Sequence, residues 1–500
     1  MSTDRNSYGN IIKAISLFGG VKVFRILVGI ISNKIIAILL GATGMGISGM
    51  ITSTTSFIAS LTGFGLQTSS VRDVSQAYTS GDQNKINYTV SVLRKLIFIT
   101  GLLGTFITFI FSDILSNWAF GNREYSLGFK IVSIVLFFDQ INIGQMVLLQ
   151  GTFHYKYMAK ASLIGSIIGL VLTMPLYYFW KIKAIIPAII IISLINLIIS
   201  TFYAKKVVFK RIKMRFQDLF IHSRIMLSMG LAIAASGVIT LGQTYILKIF
   251  ISNYGNISDV GLYTAAITIS TAYIGVIFSA MGSDYAPRLA AVAKNNCDLI
   301  QLINKQSVLL ITVICPLIIL FVVFAKQIIL LLYSGAFLDI VGMVEWMMIG
   351  MIFRAISWAI SFSFVARGDS KQFFWNELFV NIYSLAFMII GYYLYGFTGM
   401  GIAFACNYVF YTIQMYIFAK IRFNFRFNSD FIKIVIPQVI ICIVIFIIIL
   451  IIGEVKYKYL IGIFLSLIMM LLSIKYFNKI IHLSEVFDQI KNIIDLKRKK

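Results

Sequence analysis

Along these 500 residues, long apolar runs alternate with short polar connectors, from about residue 11 to residue 477. A helix rises 1.5 Å per residue, so about twenty apolar residues cross a hydrocarbon core of about 30 Å. About fourteen spans are predicted: 11–40, 44–77, 88–112, 125–150, 158–180, 184–205, 222–251, 260–288, 302–325, 339–366, 373–394, 398–419, 433–452 and 458–476. The pattern describes an all-α polytopic membrane protein.

Composition supports this. Hydrophobic residues make up 59%, charged residues only 12%, and mean hydropathy is +0.90. A soluble domain averages about a quarter charged residues. The net charge of +24 would suggest nucleic acid in a soluble chain. Here the bases sit between the spans, and no nucleic-acid motif accompanies them. Assigning each connector and its flanks to one side places 31 basic residues on one face and 8 on the other. By the positive-inside rule the first face is cytoplasmic. It holds Lys205, Lys206, Lys210, Arg211, Lys213 and Arg215, then Lys420, Arg422 and Arg426, and finally Lys497–Lys500. An even span count puts both termini there. Residues 1–10 are polar and no small-x-small site follows a short apolar core, so no cleavable signal is expected.

The chain repeats itself. Segment 39–77 can be laid beside 251–293, with Gly46 on Gly261 and Arg72 on Arg288; further on, Gly151 falls on Gly368. Six spans per repeat make the copies parallel, related by a pseudo-two-fold axis along the membrane normal. The expected organisation is a six-helix lobe over 1–215, a second over 216–428, two additional spans over 429–476, and a basic amphipathic tail over 477–500 lying on anionic lipid. Two such lobes frame a cleft suited to alternating access.

An ionisable side chain at the centre of a membrane helix costs about 2.5–3.5 kcal/mol on insertion scales, so it marks a cavity or a partner. Span one carries Lys22 and Arg25 on one face, with Lys34 half a turn from Arg25 unless the helix bends at Gly29. Span seven carries Ser236, Thr240, Thr244 and Lys248 at i, i+4 spacing, and span ten carries Arg354 near its centre. These five cations are the candidate substrate ligands, because Lys and Arg replace the hydration shell of a phosphate. Local pairing or snorkelling is the alternative for each. Candidate gate or coupling residues are Arg72 with Asp73, Asp284 with Arg288, and the carboxylates Asp139, Glu345 and Glu377, which could take up a proton or sodium ion. Thr264, Thr268 and Thr271, or Asn376 with Asn381, could meet sugar hydroxyls or simply pack helices.

Other chemistries find no residues. GATGMGIS lacks the lysine of a phosphate-binding loop, so the chain does not drive transport by its own ATP hydrolysis. His154, His222 and His482 are scattered, as are Cys297, Cys315, Cys406 and Cys442, so no metal site, cofactor or disulfide framework is expected. The outer connectors, such as 113–124 and 252–259, are too short for the loop domain of a membrane glycosyltransferase or polymerase.

The segments SDVGLYTAAITISTAYIGVIFSAMGSDYAPRLA (258–290), LGATGMGISG (40–49), LLLYSGAF (330–337) and SFVARGDSKQFFWNELF (363–379) resemble Wzx-type O-antigen translocases. These are lipid-linked oligosaccharide flippases of the MOP superfamily, which also holds MATE exporters and lipid II flippases. The likeness runs over about residues 10–420. It implies two six-helix lobes around a cationic cavity, non-enzymatic movement of an undecaprenyl-pyrophosphate-linked glycan across the bacterial inner membrane, and polymerase and chain-length-control proteins as pathway partners. The alternative within the superfamily is a cation-coupled drug exporter, which calls for a carboxylate-rich cavity.

Overall fold

The computed structural model describes residues 2–207, 216–452 and 457–481, all of whose regular elements are helical. Hydrocarbon offers no partner to a peptide N–H or C=O, and a helix satisfies both internally. In order, the helices are α1 (Ser2–Leu39), α2 (Gly41–Thr62), α3 (Leu66–Thr79), α4 (Gln83–Ile110), α5 (Ser112–Phe120), α6 (Ser126–Gly151), α7 (Tyr155–Trp180), α8 (Ile185–Ala204), α9 (Phe216–Tyr254) and α10 (Ile257–Ile267). After a π-helical turn over Thr268–Tyr273 come α11 (Gly275–Val292), α12 (Asn296–Val323), α13 (Ala325–Leu332), α14 (Val341–Ala366), α15 (Ser370–Phe423), α16 (Ser429–Ile452) and α17 (Tyr457–Ile481). The basic connector 208–215, the tail beyond residue 481 and the Lys22 side chain lie outside the described residues.

Among the described residues nine segments are long and apolar enough to cross a membrane. Two of them, Tyr155–Ala204 and Lys371–Phe423, are 50 and 53 residues long. Straight helices of that length would exceed twice the hydrocarbon thickness. Each reverses instead. The first turns through a 3₁₀ segment at Lys181–Ala184, and the second turns at Tyr395 and Gly396. The nine segments thus hold eleven crossings. The remaining expected spans, 11–40, 44–77 and 458–476, fall on α1, on α2 with α3, and on α17, which are not among the nine.

The backbone repeats more faithfully than the side chains do. Helices α4 and α12 are both 28 residues long, and α6 and α14 are both 26. Asp82 caps α4 and Asn295 caps α12, each accepting a backbone N–H from the first turn. Lys181 (φ 46°) and Gly396 (φ 57°), 215 residues apart, share the same reversal. So do Phe153 (φ 59°) and Gly368 (φ 74°), again 215 apart. The left-handed counterpart of Gly368 is therefore Phe153, and the sequence match of Gly368 to Gly151 is corrected by two positions. Residue identity misled there because the turn fixes φ, and the first copy meets that demand without glycine.

By compactness the chain forms two units: Met1–Ala265 with Leu332–Phe337, and Ala266–Leu331 with Leu338–Lys500. The first contains a crossing of α2 and α10 that is reciprocal in the repeat. A Cβ on Gly46 would run into the carbonyl of Ile257, and a Cβ on Gly261 would run into the carbonyl of Ala42. Residues 42 and 257 are 215 apart, as are 46 and 261. Each copy thus presents the same glycine to the same carbonyl of the other, which is how a two-fold contact is built. Small residues permit this approach of two backbones. In the second unit Gly391 and Gly399 face each other's carbonyls in the same manner, closing the α15 hairpin.

Two outcomes follow. Gly261→Val forces the helices apart and lowers stability by about 1–3 kcal/mol or more, read as lost monodisperse protein on size exclusion. Gly237→Ala, which enters open space, leaves the profile unchanged. Lys181 occupies a conformation that favours glycine, at a cost of about 1–3 kcal/mol. Lys181→Gly therefore raises the thermal midpoint, and Gly396→Ala lowers it.

Candidate functional site

In the first unit the candidate cations have different environments. Arg25 is exposed on α1. α1 runs as one helix through Gly29, so Lys34 projects about half a turn away from Arg25. There the Lys34 ammonium donates to the carbonyl of Tyr333. That carbonyl belongs to Leu332–Phe337, the short stretch of late sequence that packs with the first unit. Tyr333 and Phe337 are fully buried with ring centroids 5.1 Å apart, and the Tyr333 hydroxyl donates to the carbonyl of Ala265 at 3.4 Å.

Lys248 is only 7% exposed. Its Nζ donates to Ser53 Oγ at 2.8 Å and to the carbonyl of Gly49 at 3.2 Å. Gly49 and Ser53 are four apart on α2, one helix face, and Ser53 Oγ also donates to the Gly49 carbonyl at 2.7 Å. All these acceptors are neutral. Among the described residues no carboxylate pairs with Lys248, so its charge is solvated by dipoles but not cancelled. The polar stripe below it turns inward: Thr244 donates to the Thr240 carbonyl and Thr240 to that of Ser236.

In the second unit Arg354 lies at mid-length on α14 and is half-buried. Its guanidinium carbon is 5.5 Å from the centroids of both Phe278 and Tyr408, and Nη1 lies 3.8 Å from Met351 Sδ. Among the described residues it forms no ion pair. Two aromatic faces hold the planar cation by their quadrupoles while leaving its N–H edge for an anion. Nothing in the sequence marked Phe278 and Tyr408 as partners of Arg354, because they lie about 75 residues before it and 55 after it.

The acidic candidates divide as well. Asp284 and Arg288 form an exposed i, i+4 pair at 3.0 Å, a kind worth little in stability. Arg72 is exposed and Asp73 beside it half-buried on α3. Asp139 Oδ1, in the middle of α6, accepts from Ser193 Oγ of α8 at 2.5 Å. Glu345 is buried in α14. Glu377 is half-buried on α15. Near it, Tyr383 donates to Gln414 Oε1 at 3.0 Å, and Gln414 Nε2 to Asn376 Oδ1 at 3.3 Å. Asn381 returns its amide to the Glu377 carbonyl, and Thr264 and Thr271 bond within their own helices. Among the described residues no three His, Cys, Asp or Glu side chains converge as a metal site requires.

A repeated architecture of long apolar helices, with cations facing neutral partners inside them, defines a multi-pass membrane protein. The chain belongs to the polysaccharide biosynthesis protein family, whose model matches residues 35–342. No curated protein sequence matches it. Among solved structures it is similar to an inward-facing multidrug resistance MATE transporter of the MOP superfamily, at TM-score 0.69 and 15% identity over 80% of this chain and 94% of that one. It is also similar to the lipid II flippase MurJ in an inward closed conformation, at TM-score 0.68 and 14% identity over 93% of this chain and 99% of that one. A third likeness is to a MOP superfamily transporter from Pyrococcus furiosus described as having a binding pocket of reverse polarity, at TM-score 0.61 and 16% identity over 82% and 95%. The fold is that of the MOP superfamily.

The aromatic clamp on Arg354 makes a graded prediction. Tyr408→Phe keeps the ring and leaves thermal stability unchanged. Tyr408→Leu removes one face and costs about 0.5–2 kcal/mol, measured as a lowered unfolding midpoint.

Proposed function

We propose that this protein is a flippase for an undecaprenyl-pyrophosphate-linked oligosaccharide, an O-antigen unit or a similar glycan, carried from the inner to the outer leaflet of the bacterial inner membrane. The observation that carries the reading is Arg354, a mid-membrane guanidinium fixed between Phe278 and Tyr408 with no carboxylate partner among the described residues. A charge so placed is most stable when a mobile anion arrives to neutralise it, and pyrophosphate offers the bidentate oxygens that a guanidinium fork matches. Lys248, which among the described residues donates only to Ser53 and Gly49, has the same unfilled demand. Arg25, Lys22 and Lys34 line the path, while the prenyl tail stays in lipid.

In this scheme the repeat lobes 1–215 and 216–428 rock about their pseudo-two-fold axis and expose the cations alternately to the two sides. Both termini are cytoplasmic, as the basic connectors require. No bond is made or broken in the substrate; direction comes from consumption of the glycan outside, by a polymerase and its chain-length regulator, or from a proton or sodium gradient acting through Asp139, Glu345 or Glu377. Arg72, Asp73, Asp284 and Arg288 are placed at the cytoplasmic gate. Membership of a polysaccharide biosynthesis family and likeness to a lipid II flippase support this reading.

The test is reconstitution in proteoliposomes with a labelled polyprenyl-pyrophosphate oligosaccharide, following its appearance in the far leaflet. Wild type moves it, and Arg354→Gln slows movement at least tenfold, the loss expected for a charge-assisted phosphate contact of about 1.5–3 kcal/mol. Efflux of cationic drugs in place of glycan movement would overturn the proposal in favour of an exporter.

A further inference from the structure

A second cationic feature lies wholly within the first unit, away from the residues above. A cleft of about 420 Å³ opens between α4, α6 and α8. Each helix contributes one face. From α4 come Arg94, Ile97 and Phe98 at i, i+3, i+4; from α6 come Ile141, Gln145 and Leu148 at i, i+4, i+7; from α8 come Thr201 and Lys205 at i, i+4. The composition is ordered along the helix axes. Arg94 and Lys205 stand at the end where α8 runs into the most basic connector of the chain, while Phe98 and Ile141 stand deeper. From Ile141 to Leu148 the apolar wall extends about 10 Å. Phe98 is 50% exposed, so the wall is open on that side. Among the described residues no carboxylate lines the cleft.

A cationic mouth on an apolar slot is complementary to an anionic amphiphile. We propose that this cleft binds an anionic phospholipid of the cytoplasmic leaflet, its phosphate on Arg94 and Lys205 and one acyl chain along Ile97, Phe98 and Ile141. Basic pockets between membrane helices on the cytoplasmic side take such headgroups. The lining favours a phospholipid over the glycan carrier, because among the described residues Gln145 and Thr201 are its only uncharged polar side chains, too few to replace the hydration of an oligosaccharide. The site does not depend on the flippase reading, and its test does not involve transport.

Purified full-length protein in neutral detergent is titrated with phosphatidylglycerol or with phosphatidylcholine of the same chains, and bound lipid is counted by native mass spectrometry. Wild type retains phosphatidylglycerol in preference. Lys205→Gln, at an exposed position, weakens that retention about fivefold, the worth of one basic residue at a lipid surface. Arg94→Gln with Lys205→Gln abolishes the preference while the size-exclusion profile is unchanged. Glycerol phosphate without acyl chains does not compete. Equal retention of the two lipids by wild type, or undiminished preference in Lys205→Gln, would overturn the assignment. So would competition by glycerol phosphate, which would make the cleft a simple anion site. Displacement of phosphatidylglycerol by an equal concentration of polyprenyl phosphate would also overturn it, making the cleft a port for the carrier lipid.

Discussion

Hydrocarbon withholds hydrogen bonds, and most features of this protein follow from that constraint. The described backbone is helical except at short turns and connectors, and helices meet most closely where side chains are absent. Departures from the helix fall at reversals: Lys181 and Gly396 at the hairpin turns, Phe153 and Gly368 at the ends of α6 and α14. Polar hydroxyls such as Thr240 and Thr271 bond to carbonyls of their own helices. What stays unbalanced is therefore conspicuous, and at Lys248 and Arg354 it is cationic.

Lys248 and Arg354 handle that imbalance in different ways. The lysine, a compact point charge, is surrounded by oxygen dipoles of α2. The arginine, planar and delocalised, is pressed between rings. Neither arrangement cancels the charge, and on the function proposed above each keeps its affinity for an anion while meeting the cost of leaving water. Among the described residues the acids in ion pairs are Asp113 with Lys130, Asp284 with Arg288 and Asp369 with Arg422, and in each pair the base is exposed.

The repeat shows how such a molecule tolerates divergence. Helix lengths, caps and reversals recur at offsets of 213 to 215 residues, while the side chains at those positions differ: lysine for glycine, phenylalanine for glycine, aspartate for asparagine. The reciprocal crossing at Gly46 and Gly261 is the exception, because a carbonyl of the opposite copy leaves no room for a Cβ in either. Where the geometry recurs, residue identity is kept only where no alternative fits.

The sequence by itself determined the membrane environment, the helical class, the parallel repeat and the reversals near 181 and 396. Each is written in a local pattern of hydrophobicity, charge or spacing, and the bilayer converts that pattern directly into structure. The ionisable residues inside the spans were equally legible, since their cost in lipid singles them out. Their partners were not. That Lys34 meets Tyr333, that Lys248 meets Ser53, that Phe278 and Tyr408 flank Arg354, and that Arg94 and Lys205 share one cleft were decided by tertiary packing alone. These pairs are 54 to 299 residues apart, and which helix faces which is settled by the fit of whole surfaces, a property that no local pattern records.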